Sequence, residues 1–467
     1  MTLLPDGFEV RLRPDVLRAD RGTVLVGGSP TTTLRLSRAA RELLDEDLVY
    51  VDGPRSDALA RRLLDTNMAE PVLAALPLAE PLTVVVPVRD RTEQLDRCLA
   101  ALHPLPVVVV DDASEDPSAV ADVVRRHGAT LVPLPVNRGP AGARNAGLAV
   151  VDTPLVAFVD SDVVVDADTL LGLARHCADP RVALVGPTVT GRPRSERPRW
   201  FERYDAAASS LDLGSRPCSV RPGAAVGWLP SACLVGRVAL LGAGFGEGWR
   251  VAEDVDLVWR LVEAGHVVRY DPSFVAWHDT RTTVREWLGR KFLYGTGGAV
   301  LAAGHGDKVA PAVLSVPMAI SAAAVLQRRW WSVPVAALGI ASTARRLATV
   351  VPVDDGSSVI AARLSARGLG WAVRQEAGLL LRHWWPVGLL GAVVSRRARR
   401  ALVSALVLDL ALFLRERTGV HPLVALVARR LDDLAYGSGL WWGAIRARDL
   451  GCLRVRRLRG ERRDRAR

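Results

Sequence analysis

The stretch FVDSDVVVD, residues 158–166, ends an apolar run with two carboxylates, Asp160 and Asp162, one residue apart. Like charges this close repel, and two arrangements make the pair tolerable. In one, both lie in a solvated strand-end turn, a position that Asp favours. In the other, a divalent cation relieves the repulsion: Mg2+ or Mn2+ takes one or two carboxylates and completes its shell with the oxygens of a bound diphosphate. D-x-D recurs by chance, so its neighbours decide its weight.

Three neighbours add weight. VVVVDDASED ends a second apolar run at Asp111 and Asp112. A carboxylate there can accept the N3–H of a uracil ring, or can form an Asx turn before a helix capped by Ser114. In NRGPAGARNAG (137–147), Gly139 and Gly142 let backbone approach a ligand, the next helix offers its positive N-terminus, and Arg144 carries a guanidinium suited to phosphate. Helix punctuation with a solvated Arg144 is the plainer reading. In EDVDLVWRLVEAG, Leu257, Leu261 and Val262 mark the apolar face of a helix that Gly265 ends, which puts Glu253 and Asp254 in its first turn. Acids there complement the helix dipole. Facing a sugar acceptor, one of them could also take the proton of an attacking hydroxyl, worth about 10² to 10⁴ in rate.

The elements that must hold these residues follow from the pattern between 82 and 160. LTVVVPV, PVVVVDD, ATLVPLP and LVAFVDSD alternate with helical segments near Thr92–Leu102, Pro117–His127 and Gly139–Val150. Val-rich strands without polar alternation are buried on both faces, so the expected class is α/β, a Rossmann-like, mostly parallel sheet between helices. Ligands bind beyond the carboxyl ends of such strands, where VRD, VDDASED and DSD fall.

The 467 residues imply two or three domains. Residues 1–80 read as a small α+β unit, with FEVRL and TVLVGG as strands, Ser37 capping a helix in LSRAARELLDE, and AEPVLAALPLAEP as a linker. Residues 82–304 read as the α/β domain that carries these motifs. Residues 305–467 form an Arg-rich helical region with apolar segments at 309–326, 330–344, 384–395 and 401–414. These are short, interrupted by Pro and flanked by Arg on both sides, which favours in-plane or re-entrant contact with an anionic membrane surface over spanning. The net charge of +11 gathers toward RRLRGERRDRAR at the end. It suits anionic lipid or phosphorylated substrates better than nucleic acid, since no nucleic-acid motif is present and aromatics are 5% of residues. Five widely spaced cysteines without a C-x-x-C pair and a start without a signal-like apolar region point to a reducing, cytoplasmic compartment at the inner face of the cell membrane.

In this order and spacing, the four motifs over about residues 82–300 resemble the inverting family 2 glycosyltransferases of the GT-A fold. The resemblance implies that Pro87 and the VRD residues Arg89 and Asp90, with Asp112, Arg144 and Asp160, bind a UDP-sugar donor. It further implies that Asp160 and Asp162, with His278 of AWHDT as a third ligand, hold Mg2+ or Mn2+, and that Asp254, with Glu253 beside it, is the catalytic base. Gly246 stands where that family usually has Asp, and no Q-x-x-R-W follows the base, which speaks against long processive polymerisation. The whole chain is similar to the glycosyltransferases of mycofactocin biosynthesis in actinobacteria. These imply a peptide-derived redox cofactor as acceptor, UDP-glucose as donor and a β-1,4-linked oligosaccharide as product, with residues 1–80 similar to PqqD-like peptide-recognition modules. The alternatives are a membrane-associated enzyme for cell-wall polysaccharide or lipid-linked sugar, and a non-catalytic UDP-sugar-binding or scaffold protein.

Overall fold

The computed structural model describes residues 3–76, 80–349, 357–417 and 419–458. The chain divides into two compact units: residues 1–198 with 208–280, and residues 199–207 with 281–467.

The first unit begins with a small domain of β1 (Glu9–Leu12), β2 (Leu17–Ala19), β3 (Val24–Gly27), β4 (Thr32–Arg35), α1 (Arg38–Glu42), β5 (Leu48–Tyr50), α2 (Pro54–Asp65) and β6 (Ala69–Pro71). Strand β1 pairs antiparallel with β5 and β6, and β2, β3 and β4 form a separate meander. Phe8, Val10, Leu25, Val49, Leu63 and Met68 close its core. Ser37 caps α1 as expected, accepting the Ala40 N–H at 3.1 Å. The segment read as a linker opens instead as β6, because Ala69 and Glu70 pair with Leu12 and Arg11; its residues 77–79 lie outside the described residues.

The α/β part follows as β7 (Leu82–Val88), α3 (Thr92–Leu102), β8 (Val107–Asp111), α4 (Pro117–Arg126), β9 (Thr130–Pro133), α5 (Gly139–Leu148), β10 (Leu155–Val159), β11 (Val163–Val164), α6 (Ala167–Ala174) and β12 (Val182–Arg192). After α7 (Trp200–Ala207), which belongs to the other unit, come β13 (Cys218–Ser219), β14 (Cys233–Arg237), α8 (Glu253–Glu263) and β15 (Val267–Asp279). The main sheet runs β11-β15-β12-β14-β10-β7-β8-β9, with β13 on β15. Strands β10, β7, β8 and β9 are parallel, as expected, so their carboxyl ends share one edge. Beyond β10 the sheet is mixed: β14 enters antiparallel between β10 and β12. Its amino end therefore lies beside the carboxyl end of β10, with Cys233 opposite Val159. Within this unit the small domain is fixed by Asn67. Its side chain accepts the Ser219 N–H at 2.5 Å and donates to Ser219 O at 3.2 Å and Ser29 O at 2.9 Å.

The second unit adds α9 (Val284–His305), β16 (Val313–Leu314), α10 (Val316–Gln327), α11 (Ser332–Ala348), α12 (Ser357–Gly378), α13 (Trp385–Val394), α14 (Arg396–Glu416), α15 (Pro422–Ala447) and β17 (Arg456–Arg457). Composition drew a boundary at 304/305, whereas the structural break falls at 280/281. The reason is backbone contact between α9 and α15: a Cβ on Gly439 would overlap Phe292 O, and one on Gly295 would overlap Tyr436 O. A balanced ion network is buried here. Lys291 lies 3.2 Å from Asp205 and 3.1 Å from Asp432, while Arg382 and Arg430 reach Asp433 at 3.3 and 2.9 Å. Among the described residues no single helix is long and apolar enough to cross a membrane; Ser357–His383 and Trp385–Val394 pass that test only together, bent by 93°. Residues 459–467 of the basic terminus lie outside the described residues.

Candidate active site

The parallel half of the sheet sends three loops to one edge, and each carries carboxylates. After β7 come Arg89 and Asp90, both exposed, with Arg89 Nε 3.4 Å from Asp90 Oδ2. Pro87 is a strand residue opposite Val110, within β7 rather than in the loop. Asp90 Oδ1 accepts the Glu115 N–H at 2.6 Å, and Ser114 Oγ accepts the Asp90 N–H at 3.0 Å, so the β7 and β8 loops are laced together.

Of the two aspartates at the end of the β8 run, one makes the turn weighed for the pair and the other makes a different backbone contact. Asp111 makes the Asx-type turn, accepting from Ser114 N and Oγ at 3.0 and 2.6 Å. Asp112 instead accepts the Arg138 N–H at 2.6 Å, tying the β8 loop to the start of α5. Ser114 does not cap the following helix. Asp116 does, through the Ala119 N–H at 3.0 Å, because α4 starts at Pro117 and leaves Ser114 upstream of the cap position.

The Asp160 and Asp162 pair is stabilised by two arginines from different elements. Arg144 Nη2 donates to Asp160 Oδ1 at 2.5 Å and Arg91 Nη1 to Asp162 Oδ2 at 2.5 Å, so each carboxylate meets a different guanidinium. His278 Nε2 is 3.6 Å from the same Asp162 oxygen, brought there because β11 pairs Val163 with His278. Asp162 and His278 are thus neighbours, with Asp160 two residues back on the same strand-end loop, and the described residues contain no preformed cluster of three metal-ligating side chains. That donor set still fits Mg2+ or Mn2+, which take much of their coordination from diphosphate and water. Arg91 supplies positive charge to one of these carboxylates, Asp162.

Arg144, expected to offer its guanidinium to phosphate, is 2% exposed and has both terminal nitrogens engaged by carboxylates. Nη1 reaches Glu253 Oε1 at 3.2 Å, and the guanidinium lies 5.2 Å from the centre of the Phe245 ring. It is a brace between the strand-end aspartate and the first turn of α8. Its neighbour Asn145 makes a two-way amide bond with Phe245, donating to the carbonyl at 2.8 Å and accepting the N–H at 2.9 Å. Arg91, Asn145, Phe245 and Ser231 were absent from the sequence reading. Arg91 adjoins VRD and Asn145 adjoins Arg144, but neither position by itself discloses its partner.

Glu253 and Asp254 are separated by their surroundings. Glu253 is buried and paired with Arg144. Asp254 is half-buried; its Oδ1 accepts the Val255 N–H at 2.8 Å and its Oδ2 the Ser231 N–H at 3.3 Å. Ser231 leads into β14, so the antiparallel strand is what brings α8 against the end of β10. Burial, and then the Glu253 charge beside it, push the Asp254 carboxyl up to about 7, where it can both take and release a proton near neutrality. Backbone strain gathers at this edge: Asp90, Ala113 and Ala252 all hold positive φ, at 56°, 56° and 67°. At Gly246 a Cβ would lie 3.2 Å from Asp256 Oδ2 and 3.4 Å from the Trp249 ring, so an Asp there would press a like charge on Asp256. The buried Cys98 and Cys233 thiols are pushed far up by desolvation and stay protonated.

Residues 83–218 match the family model described as Glycosyl transferase family 2, and residues 155–414 match Glycosyl transferase family group 2. The pre-mycofactocin glycosyltransferase of Mycobacterium tuberculosis is 42% identical over 97% of this chain and 98% of its own length. A poly-beta-1,6-N-acetyl-D-glucosamine synthase of Staphylococcus epidermidis is 24% identical over 37% of this chain and 42% of its own. Among solved structures, a mannosyltransferase from Pyrobaculum calidifontis in complex with GDP-Man and Mn2+ covers 71% of this chain and 90% of its own, at 18% identity and a TM-score of 0.37, too slight a likeness to add to the assignment. With an end-to-end relative at that identity, the chain belongs to the family 2 glycosyltransferases, in the group of the pre-mycofactocin glycosyltransferases.

Proposed function

We propose that this glycosyltransferase is inverting and moves glucose from UDP-glucose to the peptide-derived precursor of mycofactocin, extending it as a β-1,4-linked oligosaccharide. The observation that carries the reading is Asp254: a half-buried carboxyl with a raised pKa, held by two backbone N–H groups beside the edge where Asp112, Asp160 and Asp162 converge. In the reaction, Asp254 accepts the proton of an acceptor hydroxyl as that oxygen attacks the anomeric carbon opposite the nucleotide. The bond from that carbon to the diphosphate oxygen breaks with its electron pair, leaving UDP, and the proton passes later to solvent. Arg144 pairs with Glu253 beside the base, and Asp112 and the β7 loop would meet the uridine. Asp160, Asp162 and His278 would hold Mg2+ or Mn2+, which supplies positive charge to a leaving diphosphate.

The Arg-rich helices of the second unit support a second proposal, that the enzyme works at the cytoplasmic face of the membrane. Those helices, and the partial likeness to a polysaccharide synthase, also favour a lipid-linked or polysaccharide acceptor as the competing reading. One experiment separates them. The purified full chain is given UDP-glucose, UDP-N-acetylglucosamine or GDP-mannose with Mn2+, and either the soluble peptide-derived acceptor or a lipid phosphate. Release of UDP with a gain of hexose mass on the soluble acceptor is expected; transfer to the lipid alone overturns the acceptor assignment, and preference for another donor overturns the glucose assignment.

A further inference from the structure

Helix α13, Trp385–Val394, carries no charged residue, yet its side chains are turned outward. Leu390, Val393 and Val394 are 70%, 75% and 85% exposed, and Val387 and Leu389 are exposed with them; Gly388 alone is buried. Apolar side chains left this open in one short helix mark an interaction surface.

The surroundings specify the partner. From residue 377 to residue 408 the sequence contains no Asp or Glu, while Arg396, Arg397, Arg399 and Arg400 follow α13 directly. The first three are exposed, and none of the four pairs with a carboxylate among the described residues. A second copy of this chain would set these like charges against one another, whereas an anionic headgroup layer complements them.

The C-terminal end of α13 is also closed largely by the protein's own groups. Pro386 removes a donor in the first turn, the Ser395 N–H donates to Gly391 O at 2.8 Å, and Arg399 closes the C-terminal end, donating from Nε to Ala392 O at 3.0 Å and from Nη2 to Val393 O at 3.4 Å. Internal satisfaction of this kind is what a helix needs to leave water. At about 1.5 Å per residue its ten residues reach about 15 Å, half of a hydrocarbon core of about 30 Å. Together with the 93° bend from the preceding helix, this excludes a straight crossing by α13.

We propose that α13 is a monotopic anchor: Leu390, Val393 and Val394 enter one leaflet of an anionic bilayer while Arg396, Arg397 and Arg399 hold its headgroups. This rests on the membrane location proposed above and names the element that creates it.

The test is sedimentation of the full chain with phosphatidylcholine vesicles and with vesicles of phosphatidylcholine and phosphatidylglycerol. Wild type binds the anionic vesicles more tightly. The double variant Leu390→Glu, Val394→Glu weakens binding to both by at least about tenfold, because it carries charge into the acyl boundary. Arg396→Gln and Arg397→Gln each weaken anionic binding by about fivefold and leave neutral binding unchanged. All variants keep sugar transfer to a soluble acceptor, which reports an intact fold, and the milder Val394→Ser follows the same order. Wild type that ignores every vesicle overturns both the membrane location and the anchor. Wild type that binds while the double variant binds equally well overturns the anchor alone. A lipid-free dimer that Leu390→Glu converts to monomer assigns the face to self-association and overturns the proposal.

Discussion

Asn at position 254 keeps the shape of the side chain and removes the base. General-base help of about 10² to 10⁴ corresponds to about 3–5 kcal/mol of barrier, so kcat of Asp254→Asn should fall by that factor while UDP binding is retained. The raised carboxyl sets two further expectations. With its pKa about 7 in the fold, about a tenth of the molecules carry the free base at pH 6, so the wild-type rate climbs toward pH 7 and then levels. The same shift acts on stability. Between the ordinary value of 3.8 and about 7 the native state holds a proton that the unfolded chain has lost, so this group's stabilising contribution shrinks as pH rises through that window and is gone above it. Three decades of proton affinity at about 1.36 kcal/mol each bound the effect at about 4 kcal/mol. Partial exposure, and the one N–H bond that the amide cannot keep, reduce the gain on substitution to about 1 kcal/mol. Asp254→Asn should therefore melt slightly higher than wild type at pH 8, with the difference fading toward pH 5, while being nearly inactive. Single-turnover transfer across pH and thermal melts at the two pH values measure both. A variant that transfers sugar at the wild-type rate, or a wild-type rate flat from pH 6 to pH 8, refutes Asp254 as the base and turns attention to Glu253.

Two predictions follow from other parts of the molecule. Asp162→Ala removes one carboxylate of the proposed cation site and releases Arg91, so UDP binding should lose its dependence on Mn2+ without loss of fold; wild-type turnover that continues unchanged in EDTA contradicts the metal assignment. Gly439→Ala places a methyl group on Phe292 O where α9 and α15 touch, and should cost about 1–3 kcal/mol in chemical denaturation; an unchanged midpoint would show that the two helices separate freely.

The local elements were legible because they depend on neighbouring residues. The Val-rich runs became β7, β8 and β10, α3 begins and ends at the expected Thr92 and Leu102, and Ser37 caps its helix. Parallel order follows from runs buried on both faces, and it alone puts the Asp112 and Asp160 loops on one edge. The spacing Asp160-Ser161-Asp162 showed two charges needing a counterion but not which one. That choice lay among 61 basic side chains, and the fold selects Arg91 and Arg144, 71 and 16 residues away. Likewise, nothing around Ser231 foretells that an antiparallel strand will carry it to Asp254, or that Arg144 will be buried between Glu253 and Asp160. Side-chain periodicity is set by each residue's own backbone and can be read along the chain. Which charge neutralises which depends on distances that exist only once the sheet has closed, and those distances decide which of two adjacent acids is left with a pKa suited to taking a proton.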